Sequence, residues 1–571
     1  MGAAIFPPSL RVMVNEPDGV LHADSAAATA AGPTSARNRP RWLGLYIAIA
    51  LFALAWIVST VVAGYERAAG NIMFAIIAFI AVLAFFFWLL VRSRLPWSLR
   101  LAVIAIPAIA AILFGSIYRW DGVNAELVPQ FRLRSETRER SVSQTLPAGQ
   151  PAPAQDSLAD SPYADSYYAS TQFLGSNRDG SYPGLELAET WKADAIERLW
   201  RVPLGFGWSS FAVRDGVAVT LEQPAEAQYE QMLAVRLEDG KPLWSVKMPG
   251  THSTVPGGAG PRSTPTIADD TVFGISSTGI LVAADLISGR ERWRKRLLDE
   301  SDSTQAGFEK FVAWGRSGSP LAVDDLIVVP LGGEQQPRST LAAYSRVDGK
   351  EQWRAGDDQI TYSSPVLMTL ANVRQIVYVS EQHAGGYDPT TGALLWSYPW
   401  DGESNGAANV SQPVQIDDDS LVLSKGYFRG SARIRLSVDD SGKWSAQQVW
   451  ASPKSLKTKL TSCVLREGYL YGLSEGLLEC VSAADGKRAW LKRGDFGHGQ
   501  VLLVGDQLLI STETGELVVA AAEPEGYREL FRAQVLEPNV VWNIPTLAGN
   551  LLLMRDSREA VCIRLPVRGD R

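Results

Sequence analysis

Scarcity narrows this sequence before any pattern in it is considered. Three cysteines in 571 residues, none adjacent to another, cannot make a disulfide scaffold. Cys463 and Cys480 are expected on the first and third strands of one sheet, about 9–10 Å apart by strand spacing, which is beyond disulfide reach. Together with Cys562 they read as small buried hydrophobes. The four histidines, His22, His252, His383 and His498, have no spacing that suits a metal, so no metal ligands are assigned. Lys and Arg number 54 against 61 Asp and Glu, a net charge of −7, and this balance offers no basic surface for nucleic acid. There is no Gly-rich phosphate loop ending in Lys-Ser/Thr, and no nucleophile elbow is expected. A cleavable signal pattern is not expected either, because the first long apolar run begins only at Trp42.

Long apolar runs are present, however, and all lie near the front. Leu43 to Tyr65, Ile72 to Val91 and Leu101 to Tyr118 are nearly free of charge and about as long as a bilayer core is thick, so each reads as a transmembrane helix. Trp42, Tyr65, Trp97, Tyr118 and Trp120 stand at their ends, where amphipathic rings settle at an interface. Arg37, Arg39 and Arg41 precede the first run, and Arg92, Arg94 and Arg100 separate the second from the third. Positive flanks stay cytoplasmic, so three spans place everything after Tyr118 on the far side. The division that follows is a disordered head over 1–40, three spans over 41–120, a disordered Pro/Ala/Ser-rich tether over 121–172, and a folded domain over 173–571.

The folded domain is a repeat. Gly279 to Trp293 combines an apolar strand, a Ser-Gly turn and a second strand carrying Trp293. The same design aligns Gly240, Gly289, Gly349, Gly392, Gly442, Gly486 and Gly526 at spacings of roughly 40 to 60 residues. Six residues before each glycine stands Ala234, Ala283, Ala343, Gly386, Leu436, Cys480 or Ala520; four residues after it stands Trp244, Trp293, Trp353, Trp396 or Trp490. The fifth copy slips to Trp450 and the seventh has Leu530. An eighth copy starts at Glu559 and lacks its tryptophan strand, while Leu199-Trp200-Arg201-Val202 is a tryptophan strand with no copy before it. A ring closes only if those two halves pair, which predicts an all-β, eight-bladed β-propeller. Eight inner strands, among them Ser263-Thr-Pro-Thr-Ile and Ser363-Ser-Pro-Val-Leu, supply its centre.

The Asp-Gly-Lys-x-x-Trp runs at Asp239, Asp348 and Asp485, with Ser/Thr-Pro inner strands, resemble the pyrroloquinoline-quinone-like (PQQ-like) propeller repeat across roughly 198 to 567. The stretch Phe173-Leu-Gly-Ser-Asn-Arg-Asp-Gly resembles the lead-in of propeller-only bacterial members. Two kinds of protein share that repeat, the quinoprotein alcohol dehydrogenases and the non-enzymatic BamB-type assembly factors, so the resemblance implies the fold and leaves the activity open. The dehydrogenases add a vicinal Cys-Cys disulfide and a calcium held by Glu and Asn beside a catalytic Asp. This chain has no Cys-Cys pair and no such trio that can be matched, so no catalytic residue is carried over. No cofactor is supported, and PQQ with calcium stays as what the resemblance implies for the enzyme alternative. The tryptophans four residues past each turn glycine are assigned to packing between blades.

Residues at the start of the inner strands form the candidate site: Trp208, Arg262, Arg316, Tyr362, Asn409, Lys459, His498 and Trp542. In register they would surround one mouth of the central channel, where aromatics and cations suit a small anionic or planar ligand or an extended peptide. The expected function is a binding or scaffold module, anchored in a bacterial cytoplasmic membrane with its propeller on the periplasmic side. A PQQ-dependent alcohol oxidoreductase is the alternative. A sensor that passes a binding signal through the helices ranks third, because a flexible tether would not transmit it.

Overall fold

A computed structural model describes residues 42–63, 66–136, 139, 141–146, 161–192, 194–494 and 496–569. The expected head over 1–40 lies outside them. Three long apolar helices come first, α1 (Leu43–Ala63), α2 (Arg67–Phe87, continued by a π-helical turn Trp88–Arg92) and α3 (Trp97–Ile117), and each is long and apolar enough to cross a membrane. α1 and α2 pack as an antiparallel hairpin around a short turn that contains Glu66.

The remainder is dominated by eight antiparallel sheets that follow one another along the chain, and each sheet is a blade. Blades 2 to 6 are four-stranded in strict chain order, from Thr266–Ala268 in blade 2 to Arg488–Lys492 in blade 6. Blade 8 takes its outermost strand from Glu197–Pro203, with Cys562 opposite Trp200 and Ala560 opposite Val202. The ring therefore closes as its two incomplete sequence copies require, and no end edge is left open.

The tryptophan column shows why the repeat reads as it does. Trp244 lies opposite Ala283's equivalent in its own blade, Ala234, and its ring covers the turn glycine of the next blade. A Cβ at Gly289 would stand 2.5 Å from that ring, and Gly289 has φ +67°, so this turn admits only glycine on two counts. The indole then donates to Leu286 O at 2.9 Å. Trp200 on Gly240, Trp293 on Gly349, Trp353 on Gly392 and Trp450 on Gly486 repeat the arrangement, each with its Nε1 donating to a backbone carbonyl of the following blade. Assignment of these rings to blade packing is what the geometry shows.

Two copies depart from the sequence alignment. In blade 5 Trp450 faces Arg433, and Leu436 faces Ala446, because the Gly430–Val438 and Trp444–Ser452 strands run on into a longer hairpin with Gly442 at its exposed tip. Counting back from that glycine therefore starts from the wrong point. Trp396 of blade 4 finds no turn to cover and donates instead to Gln375 of its own blade. In blade 7 the column position is Phe531, opposite Val519, one residue past Leu530.

A second interlock runs around the channel. In four of the eight inner strands the backbone N–H of the second residue donates to a hydroxyl of the next blade: Ser210 to Thr264 (3.1 Å), Thr264 to Ser319 (2.9 Å), Ser319 to Ser364 (2.9 Å) and Gln412 to Ser462 (3.0 Å). The Ser/Thr at these positions satisfy donors that the narrow centre leaves without strand partners.

The expected tether is corrected where it is described. Tyr118–Val123 (β1) and Pro129–Leu133 (β2) form a hairpin directly after α3. Ser141 and Ser143 donate hydroxyl hydrogen bonds to the buried carboxylate of Glu222, and Tyr163 is buried against Trp200 and Leu204. Composition averaged over the segment conceals these few anchors, since a buried acceptor or an apolar hollow needs only one matching side chain. The part of the tether over 147–160 lies outside the described residues.

Candidate functional site

The channel is closed at both ends by segments from outside the ring. At one end the lead-in crosses from blade 1 to blade 7: Ser170 bridges Val213, Thr171 O accepts from Ile267 N, and Ser181–Tyr182 pairs in parallel with Leu503–Val504. Arg178, fully buried, donates to Ser319 O (3.1 Å) and Pro320 O (2.8 Å), and burial pushes its guanidinium down to about 9. Its side chain holds Phe173 at the floor of the channel, 5.7 Å from the ring centroid.

At the other end sits the turn between α1 and α2. Glu66 Oε1 meets Lys459 Nζ at 2.5 Å with both side chains almost wholly buried, and Glu66 Oε2 accepts from Tyr427 N at 3.0 Å. Beside them Glu475 is buried with no donor on either oxygen. Burial and the hydrogen bond to Glu66 push Glu475 up to about 8, so near neutral pH it carries the proton that the pair shares. Burial also acts to raise Glu66, but the Glu475 hydrogen bond and the Lys459 charge outweigh it and hold Glu66 below the usual carboxylate range. The tip of the β1–β2 hairpin joins the seat: Glu126 pairs with Arg67 (2.9 Å) and accepts from Asn71, Ala125 N donates to Glu513 (3.2 Å), and Arg132 reaches Asn539 (2.9 Å).

Between floor and seat lies a chamber of about 520 Å³. Five of the eight sequence-assigned residues, Trp208, Arg262, Tyr362, Lys459 and Trp542, are brought together on its wall. Trp208 and Trp542 stand 4.7 Å apart between centroids, their indoles tied to Gly257 O and Glu513. Tyr362 stacks on Trp314 at 5.0 Å and donates to Ser404 O. Arg262 gives its Nη atoms to the carbonyls of Gly257, Gly258 and Gly260, and burial pushes it down to about 10. The other three do not reach the chamber. Arg316 is buried over the Phe308 ring at 4.2 Å and donates to Pro330 O, Asn409 ties down three backbone carbonyls, and His498 is buried against Glu513 with burial and the charges of Lys459 and Arg67 pushing it down to about 3.

Sequence reasoning missed Glu66, Trp314, Tyr427, Phe428 and Glu475. Glu66 had a signal: Glu66 and Arg67 are the charged residues in the short turn between the first two apolar runs. The expectation of no elbow spacing also needs correction, because Gly472-Leu-Ser-Glu-Gly476 has it. It lies on a β-hairpin between Tyr469–Ser474 and Leu477–Ser482, where a nucleophile elbow needs a strand-to-helix turn, and Ser474 Oγ accepts from Lys457 N.

The donors present do not fit a quinone–calcium centre. All three cysteines are buried and separate, no cluster of three His, Cys, Asp or Glu residues occurs among the described residues, and the chamber carboxylate is already committed to Lys459.

Comparison with known proteins agrees with the architecture. The family model described as outer membrane protein assembly factor BamB matches residues 193–295 and 230–492. No curated protein matches the chain. Among solved structures, BamB from Moraxella catarrhalis is 14% identical, covering 65% of this chain and 100% of its own, with a TM-score of 0.43. Quinohemoprotein alcohol dehydrogenases from Pseudomonas putida HK5 and Comamonas testosteroni are 11% and 12% identical, cover 71% and 73% of this chain and 81% and 83% of their own, and both have a TM-score of 0.48. With the repeat, the closed ring and this match together, the chain belongs to the PQQ-like propeller family described by outer membrane protein assembly factor BamB.

Proposed function

We propose that this protein is a non-catalytic binding module, held by three membrane-spanning helices so that its propeller lies on the extracytoplasmic side of a bacterial cytoplasmic membrane. The observation that carries the reading is the seat of Glu66 on the ring. That contact supports having the turn between α1 and α2 on the same side as everything after α3, as three spans demand. Arg92, Arg94 and Arg100 then fall on the opposite side, where a positive flank is retained. The name of the matching family points to a protein partner, and a peptide or a small anion at the mouth suits the same wall. A chamber of aromatic residues, with its acid already paired, supports binding rather than oxidation.

Two measurements test this. A reporter active only in the cytoplasm, fused after Arg571, is expected to stay silent, and the same reporter before Met1 is expected to work; the reverse pattern overturns the orientation. The purified full chain with added PQQ and calcium is expected to give no dye-linked alcohol oxidation. Turnover would establish the dehydrogenase alternative.

A further inference from the structure

The chamber holds a charge without a counterion. Arg262 makes no ion pair among the described residues; its hydrogen bonds end on neutral carbonyls, and Glu230 acts on it only at longer range. Lys459, the other cation of the wall, is neutralised by Glu66. Arg262 is half-buried on the wall with no carboxylate in contact with it, so its guanidinium is the cation an anionic group entering the chamber would meet.

The chamber wall extends onto the second apolar helix. Ala68, Ala69 and Ile72, from the first turns of a membrane-spanning helix, form part of the wall. Phe428 on the wall is half exposed, and Val255 nearby and Trp120 and Phe131 on the hairpin after α3 are equally open. Apolar rings displayed on the side of the ring that carries the helices are solvated poorly by water and well by a bilayer interface. The rest of the wall, Trp208, Trp314, Tyr427 and Trp542 among others, continues that apolar surface inward.

We propose that the chamber binds one single-chain, monoanionic amphiphile taken from the bilayer. Its head pairs with Arg262, and its chain lies along the aromatic wall toward α2. A fatty acid and a single-chain phospholipid share this chemistry. The inference goes beyond the binding-module reading, since it names a ligand that neither a protein partner nor the orientation requires.

The test uses the full chain in a non-ionic maltoside detergent with cis-parinaric acid as fluorescent probe. One saturable site per chain is expected, displaced by oleate or by lysophosphatidylglycerol; which of the two displaces better identifies the source. Oleyl alcohol, with the same chain and no charge, is expected to compete about tenfold or more weakly, as the loss of a charged hydrogen bond implies. Arg262→Gln is expected to erase the preference for oleate over the alcohol, and Arg262→Lys to keep most of it. Ala69→Trp, which fills the chamber from α2, is expected to abolish saturable binding. Equal competition by alcohol and oleate on the unaltered chain, or parinarate binding unchanged in Ala69→Trp, overturns the proposal. Neither result bears on the reporter orientation or on alcohol oxidation, so the two readings fail separately.

Discussion

The joints between blades and the joint between the ring and its N-terminal helices are built on opposite plans. Blade joints are repeated: a tryptophan covers the next turn glycine, and an inner-strand N–H finds the next hydroxyl. The joint to the helices is made once, from Glu66, Lys459, Glu475 and a hairpin tip, and it depends on charge and shared protons. Repetition spreads stability over many modest contacts, whereas a single buried ion pair concentrates it at one point.

The comparison can be broken first at ring closure, where the largest effect is expected. Removing everything through Pro203 uncovers the outer edge of blade 8 and the apolar face under Trp200, at several kcal/mol by large-to-small precedent, and exposes an edge for pairing. Lowered melting and self-association by light scattering are expected; a truncated ring that melts like the full one refutes closure as the source of stability. Lys459→Met comes next. It leaves Glu66 buried without its cation, at about 3–5 kcal/mol for a half-broken buried pair. The loss is expected to fall on docking, so limited proteolysis should release the α1–α2 turn while near-ultraviolet dichroism of the ring persists. Unchanged proteolysis would show that the seat does not depend on the pair.

Two smaller effects sharpen the contrast. Gly289→Ala forces a Cβ into Trp244 at a positive φ and is expected to cost about 1–3 kcal/mol by denaturant melting. Gly442→Ala, with φ +82° but open space around it, should cost only the backbone share, about 1–2 kcal/mol. Equal costs would mean that the tryptophan cover contributes nothing. The last effect is a pH dependence of docking. Glu475 is raised above its unbound value, so its contribution is full below about 4.5 and is lost as pH climbs through about 8. Glu66 is lowered, so its contribution is present above about 4.5 and is lost as pH falls beneath it. Docking is therefore expected to be tightest between these limits. Glu475→Gln should flatten the alkaline limb in a proteolysis-against-pH series; an unaltered limb would assign it to another group.

What was legible in the sequence follows the same division. Blade number and the packing role of the tryptophans could be read because each signal occurs several times and one slipped copy is outvoted, and closure followed from the two incomplete copies left over. The slips at Leu436 and Leu530 arose where a hairpin lengthened or a turn shifted by one residue, which counting from a glycine cannot detect. At the site, five of eight wall residues came from register alone, but register could not show that Arg316, Asn409 and His498 are buried away from the chamber. The seat was missed because Glu66 and Lys459 are separated by 393 positions and nothing periodic links them. The docked tether was missed because Ser141 and Ser143 matter only where Glu222 waits for them.

The seat is also lopsided. Tyr427 belongs to blade 5, Lys459 and Glu475 to blade 6, Glu513 to blade 7, and Glu222, which holds Ser141 and Ser143, to blade 1. Among the described residues, none of these fastenings is made by blades 2 to 4. Load on the α1–α2 pair therefore enters the ring through its polar fastenings on blades 5 to 7 and not evenly around the circle.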